Sequence, residues 1–206
     1  MKRIAVLVVA RQELSAEEFR SRMQPNVDRW EKGCASIGAV PRVGFRVQDD
    51  PLPAAAGDRV IVPVHALLEA TLPADADETR LASLVEHLGL RIADAADVGA
   101  TAVAVGEAHQ VLPDRGRIVL VLGTRRLPTM SQQDFFRYWR GPHAELAMKL
   151  MSDEDRQAQG YIQLHADAEA SRRAAGLGGL GVWDYDGILE CSVEDIPTFL
   201  RIHANP

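Results

Sequence analysis

Apolar and polar positions along the chain follow two periods, one near two residues and one near four. Ile4-Ala5-Val6-Leu7-Val8-Val9 is a short continuous apolar run and predicts a buried strand over residues 3–10. Beyond Ser15 the period lengthens, and Phe19, Met23, Val27 and Trp30 predict a helix over 15–31. Strands over 42–48 and 58–71 follow, then a helix over 77–88 carried by Leu81, Leu84, Val85 and Leu88, and a strand over 101–111. This strand–helix–strand–strand–helix–strand order is the ferredoxin-like α+β arrangement. Its antiparallel sheet carries both helices on one face and leaves the other face to be covered.

The same pattern then begins again. Ile118-Val119-Leu120-Val121-Leu122-Gly123 repeats the first strand, and Ser131 with Asp134 repeats the capping pair Ser15 and Glu18. Gly160-Tyr161 answers Gly44-Phe45, and Gly187-Ile188-Leu189-Glu190 answers Ala66-Leu67-Leu68-Glu69. Four matched elements in order, at a period far longer than a solenoid repeat, indicate a duplicated domain. The expected organisation is a first repeat over 1–112, a turn-rich link at Leu112-Pro113-Asp114-Arg115-Gly116, and a second repeat over 117–206. Two such repeats bring two antiparallel sheets together face to face within one chain. Material matching the last helix and strand of the first repeat would run well past Pro206. The second repeat is therefore expected to lack its closing strand, leaving an edge for further chain or a second copy.

Composition narrows the classes of function. The 206 residues carry 23 Lys+Arg against 29 Asp+Glu, a net charge of −6, which lacks the positive footprint that nucleic-acid binding needs. Cys34 and Cys191 are the two cysteines and have no metal-ligand spacing, so they read as small buried residues of a reducing compartment. The basic start and apolar run of Met1 to Val9 lack a cleavage site and read as a strand rather than a leader. No apolar run reaches the length of a membrane span. A cytoplasmic protein is expected, with no membrane and no nucleic-acid partner. His65, His87, His109 and His203 are scattered, no His/Glu cluster has ligand spacing, and no metal is expected. Gly176 to Gly181 precedes a strand rather than a helix, so it reads as a mobile loop, and Ala166–Gly181 as a lid.

The densest chemistry lies in Ser131-Gln132-Gln133-Asp134-Phe135-Phe136-Arg137-Tyr138-Trp139-Arg140-Gly141-Pro142-His143-Ala144-Glu145-Leu146-Ala147. Phe135, Trp139 and His143 are four apart and share a helix face, while Gly141-Pro142 predicts a kink or helix restart just before His143. This segment, with Gly160-Tyr161-Ile162-Gln163-Leu164-His165 and Tyr185-Asp186-Gly187-Ile188-Leu189-Glu190, resembles the EthD-domain family of the dimeric α+β barrel superfamily. The resemblance implies paired ferredoxin-like sheets and small-molecule chemistry without an obligatory cofactor. Its relatives act in the catabolism of ethers, lactones and aromatics and in polyketide tailoring. Distant members of the superfamily bind haem through one histidine, but a lone His143 is thin support for haem, and none is expected.

The family histidine falls on His143. The register that pairs Ser15 with Ser131 pairs His143 with Val27, Trp139 with Met23 and Pro142 with Asn26. The first repeat thus keeps apolar positions and loses the ionisable one. His143 is the candidate catalytic residue, because imidazole titrates near neutral pH and suits proton transfer; the plainer alternative is an anchor for the kinked helix. Tyr161, Gln163 and His165 alternate along one strand face and are candidate substrate contacts beside Trp139. Trp183 and Tyr185 share another alternation and are candidates for stacking on a flat substrate, though ordinary packing explains them too. Arg137 and Arg140 could hold a carboxylate, and Glu190, whose repeat partner is Glu69, reads as structural. Two functions compete: a cofactor-independent enzyme of lyase, isomerase, cyclase or monooxygenase type acting on a small organic molecule, and a non-catalytic binding or stress-response barrel. Either is compatible with a homodimer.

Overall fold

The computed structural model describes residues 1–48, 50, 64–77 and 79–203. Its strands are β1 (Lys2–Val8), β2 (Val40–Phe45), β3 (Ala66–Leu72), β4 (Ala102–Leu112), β5 (Ile118–Thr124), β6 (Gln159–Ala166), β7 (Gly181–Val182) and β8 (Gly187–Val193). Its helices are α1 (Ala16–Ile37), α2 (Thr79–Leu84), α3 (Leu88–Ile92), α4 (Gln132–Tyr138), α5 (Ala144–Leu150), α6 (Asp153–Ala158), α7 (Ala168–Gly178) and α8 (Ile196–His203), with a π-turn (Trp139–His143) between α4 and α5. The chain is α+β and forms two compact units, Met1–Glu107 with Asp167–Asp184, and Ala108–Ala166 with Tyr185–Pro206.

In the first unit four strands lie in the order β2-β3-β1-β4, the ferredoxin-like order, each pair antiparallel, and the short β7 pairs with β4 in parallel. Register puts Ile4 beside Ala70 and Val105, and Val6 beside Leu68 and Val103, so the centre of one sheet face is apolar. Phe19, Met23, Val27, Trp30 and Cys34 of α1 pack into the core on that face. The Ser15 hydroxyl accepts the Glu18 N–H at 3.2 Å while Glu18 receives the Ser15 N–H at 2.9 Å, the reciprocal cap that starts α1. The predicted strand over 58–71 is seen as β3; its first residues, 58–63, lie outside the described residues. The predicted helix over 77–88 divides into α2 and α3 at His87, whose φ of 55° breaks the helix.

The segment read as a glycine-rich lid is the helix α7, grouped with the first unit. Asp167 caps it through the N–H groups of Glu169 and Ala170, both at 2.8 Å. Ala170, Ala174 and Ala175 join the apolar core of this unit, and the Ser171 hydroxyl accepts the Val105 N–H at 2.9 Å. A small-residue face lets α7 approach closely. A Cβ on Gly89 would lie 2.6 Å from the Gly179 carbonyl oxygen, so α3 meets the end of α7 backbone to backbone.

The second unit repeats the strand order as β6-β8-β5, each pair antiparallel, with Ala108–Leu112 of β4 also grouped with it. Among the described residues, β5 has no strand on the side away from β8, where the first unit has its closing strand. Ser131 caps α4 by accepting the Asp134 N–H at 3.1 Å, as its counterpart Ser15 caps α1. Among the described residues, no helix is long and apolar enough to cross a membrane.

Candidate functional site

The helix of the second repeat does not run straight. Pro142 has no N–H to give the Tyr138 carbonyl, and the chain widens into a π-turn over Trp139–His143 before α5 resumes. The kink expected at Gly141-Pro142 takes this form. Such turns concentrate at functional sites because they redirect the side chains at their ends.

Trp139, at the start of the turn, is buried over the sheet. Its seat is Gly187, where a Cβ would lie 2.5 Å from Trp139 Cζ3 and 2.5 Å from the Leu164 carbonyl oxygen. Only a glycine admits the indole there. Its ring stacks in a row with three others: Phe136 on His165 (4.4 Å, 18°), His165 on Trp139 (5.1 Å, 17°) and Trp139 on Phe135 (5.4 Å, 23°). A second imidazole, His109, stands 4.4 Å from His165 at 56°.

Beneath the rings, alternate residues of β6 present a polar row to the helices. Gln163, with no exposed surface, donates from Nε2 to the Trp139 carbonyl oxygen at 3.0 Å and to Tyr161 Oη at 2.7 Å. Its Oε1 lies 3.3 Å from His165 Nε2. An amide oxygen only accepts, so Nε2 carries the His165 proton and Nδ1 is the bare nitrogen. Burial first, then the fields of His109 and Arg140, push His165 from the ordinary 6.5 down to about 3, and the imidazole is neutral at physiological pH. Burial likewise holds the Tyr161 hydroxyl above the usual phenol range, so it stays protonated. Cys191, beside Tyr161 on β8, is pushed up to about 12 by burial and then by Glu190, which leaves an inert thiol.

Trp139, Tyr161, Gln163 and His165 thus come together. His143 stands apart from them: it is half-buried at the end of the π-turn, its ring 6.2 Å from that of Tyr138, and among the described residues its side chain makes no hydrogen bond or ion pair. Trp183 is grouped with the first unit and Tyr185 with the second. Tyr185 lies under the Arg125 guanidinium at 4.7 Å, beside the Arg126–Asp186 ion pair. Glu190 is buried; its repeat partner Glu69, also buried, sits between Arg3 at 3.5 Å and Arg42 at 3.4 Å. Arg137 pairs with Asp134 on the surface of α4.

Sequence reasoning missed two partners, His109 and the Gly187 seat. His109 was one scattered histidine among several, and nothing local marks its approach to His165. Gly187 carried a signal, a glycine opening a strand, which often marks a close approach by another group. Among the described residues no group of three or more His, Cys, Asp or Glu is placed to hold a metal ion.

Topology and site together define the class: a protein of the dimeric α+β barrel fold. A putative chlorite dismutase shares it with a TM-score of 0.57 at 12% identity, over 98% of this chain and 83% of that one. A mutant chlorite dismutase from Candidatus Nitrospira defluvii is similar with a TM-score of 0.50 at 9% identity, over 98% of this chain and 80% of that one. At such identities the likeness is one of fold alone. Within that fold, residues 127–206, which carry the π-turn, β6 and β8, match the EthD domain. No curated protein sequence matches the chain.

Proposed function

We propose that the EthD half is a cofactor-independent enzyme that uses His143 for proton transfer on a small organic molecule of aromatic, lactone or polyketide-like type. The supporting observation is the contrast between the two imidazoles of this segment. His165 is neutral, stacked and bonded, whereas His143 is half-exposed at a π-turn with no competing partner. An unbonded imidazole at a helix irregularity keeps both nitrogens available to a ligand, which a general acid or base needs. Proton abstraction next to a carbonyl, followed by return of the proton at another atom, is the simplest reaction such a group supports.

A second reading is a non-catalytic binding barrel. What favours it is that, among the described residues, the His143 ring packs near that of Tyr138 and its imidazole makes no hydrogen bond or ion pair with a polar group. Thermal-shift screening of aromatic, lactone and polyketide-like compounds, followed by turnover assays on the hits, separates the two. The enzyme reading expects His143→Ala to lower turnover by about 10²–10⁴-fold with the melting temperature nearly unchanged. Full turnover by a folded His143→Ala protein would sink it, and binding without any turnover would favour the second reading. A homodimer is also proposed, on the side of β5 that no strand covers among the described residues and on the 43% exposure of Leu122 in that strand. Sedimentation velocity measures it.

A further inference from the structure

We propose that Gln163 is a positioning residue for His143: its buried side-chain amide fixes the first carbonyl of the π-turn whose last residue is His143. This rests on the reading of His143 as the proton-transfer group. Two bonding patterns compete over residues 139–143. In an α-helix the Trp139 carbonyl accepts the N–H of His143, whereas in a π-turn the ring closes one residue later. Pro142 already denies the Tyr138 carbonyl an α-type partner, so helical bonding alone sets this turn weakly. A donor from the sheet supplies what the helix does not.

Gln163 has the geometry for that task. It is wholly buried and reaches the Trp139 carbonyl oxygen at 3.0 Å from β6, beneath the turn. Its second amide proton is held by Tyr161 Oη at 2.7 Å, and its oxygen meets His165 Nε2 at 3.3 Å. With both protons and the oxygen engaged, the amide has no freedom to turn away from Trp139. His165 in turn stacks with Phe136 and with Trp139, so the ring stack and the amide hold the same residue. Any buried glutamine must satisfy its amide; what marks this one is that its partners join the backbone of the turn to the ring stack that seats it. Moving the Trp139 carbonyl changes the pitch of the turn and with it the direction in which His143 points.

The test reads His143 itself. In protein carrying labelled histidine, the His143 ring signals are assigned by their loss in His143→Gln and followed through a pH titration. Gln163→Leu removes the donor, and Gln163→Glu keeps the size but places an acceptor against the carbonyl. Both are expected to move the His143 signals and displace their titration midpoint. Tyr161→Phe, which loosens the amide but leaves the Trp139 bond in place, is expected to move them less than either Gln163 variant. In the unsubstituted protein, a through-bond coupling between the Gln163 side-chain nitrogen and the Trp139 carbonyl carbon is expected, which keeps the test open should both Gln163 variants fail to fold. Unmoved His143 signals in a folded Gln163→Leu protein, or no such coupling, overturn the proposal. Once a substrate is in hand, kcat should fall at least about tenfold in Gln163→Leu at unchanged KM. Should His143→Ala keep full turnover while Gln163→Leu still moves the His143 signals, the positioning stands and the acid–base role falls.

Discussion

The two repeats begin their long helices alike and use them differently. Ser15 and Ser131 cap α1 and α4 in the same way, yet α1 runs unbroken from Ala16 to Ile37 while its counterpart gives way at Trp139. A proline does not by itself explain the difference, because α1 contains Pro25 and stays helical. What differs is the packing beneath. In the first unit Met23, Val27 and Trp30 lie on an apolar sheet face and hold the helix along its length. In the second, a polar row of Tyr161, Gln163 and His165 lies under the helix, and Gln163 offers the backbone an alternative hydrogen bond. A proline in a helix breaks it where the surroundings reward the break.

The largest effects should come from exchanging large residues for small ones at matched positions. Trp139→Ala removes a buried indole and the centre of the ring stack, and is expected to cost about 3–5 kcal/mol in chemical denaturation. Met23→Ala at the equivalent position is expected to cost about 2–5 kcal/mol. Near-UV circular dichroism tells the two apart, since the first variant dismantles the stack and the second leaves it. Equal spectra would mean that the stack does not hold the second unit. Gly187→Ala should follow, at about 1–3 kcal/mol, because the added carbon meets Trp139 and a carbonyl oxygen that has no room to retreat.

Much of this was open to the sequence, and the rest was closed to it for physical reasons. The two serine caps and the burial of Val27 follow from local pattern, and the structure has them; the strand order of the first unit, read from the same pattern, is there too. Alternation placed Tyr161, Gln163 and His165 on one face, and they do meet. Alternation gives parity along a strand, however, and does not say which face lies under helices. That decides whether such residues touch a ligand or brace a turn. Helix α7 was hidden because its buried face is Ala170, Ala174 and Ala175, residues whose smallness permits close packing but gives no apolar stripe. His109 meets His165 across strands distant in sequence, which no spacing rule reaches.

Acid should act on the second unit through its stack. The folded-state value of His165 is about 3 against an ordinary 6.5, so the unfolded chain takes up a proton that the folded one refuses. The stability this contributes is complete above pH 6.5 and is lost as pH falls toward about 3. Half-buried His203, lowered by its own desolvation, adds a change of the same sign. The measurement is therefore the difference between the unsubstituted protein and His165→Gln across that window. A shallower loss of stability in the variant is expected, and identical curves would remove His165 from the account.

The smallest effect on stability belongs to the position that motivated the comparison. Val27 is buried in the first core, and Val27→Ala should cost about 1–2 kcal/mol, two methyl groups at roughly 0.8 kcal/mol each. His143, half-exposed and unbonded, should tolerate alanine within about 0.5 kcal/mol. The order follows from geometry: the straight helix turns this position toward the sheet, and the π-turn leaves it half-exposed. A duplicated domain with one residue buried in the first copy and released in the second has freed that residue from packing, the condition under which it can serve chemistry. Denaturation of the two variants side by side measures the difference. A His143→Ala protein as destabilised as Val27→Ala would show the histidine to be a packing residue after all, and the contrast between the repeats would reduce to the ring stack alone.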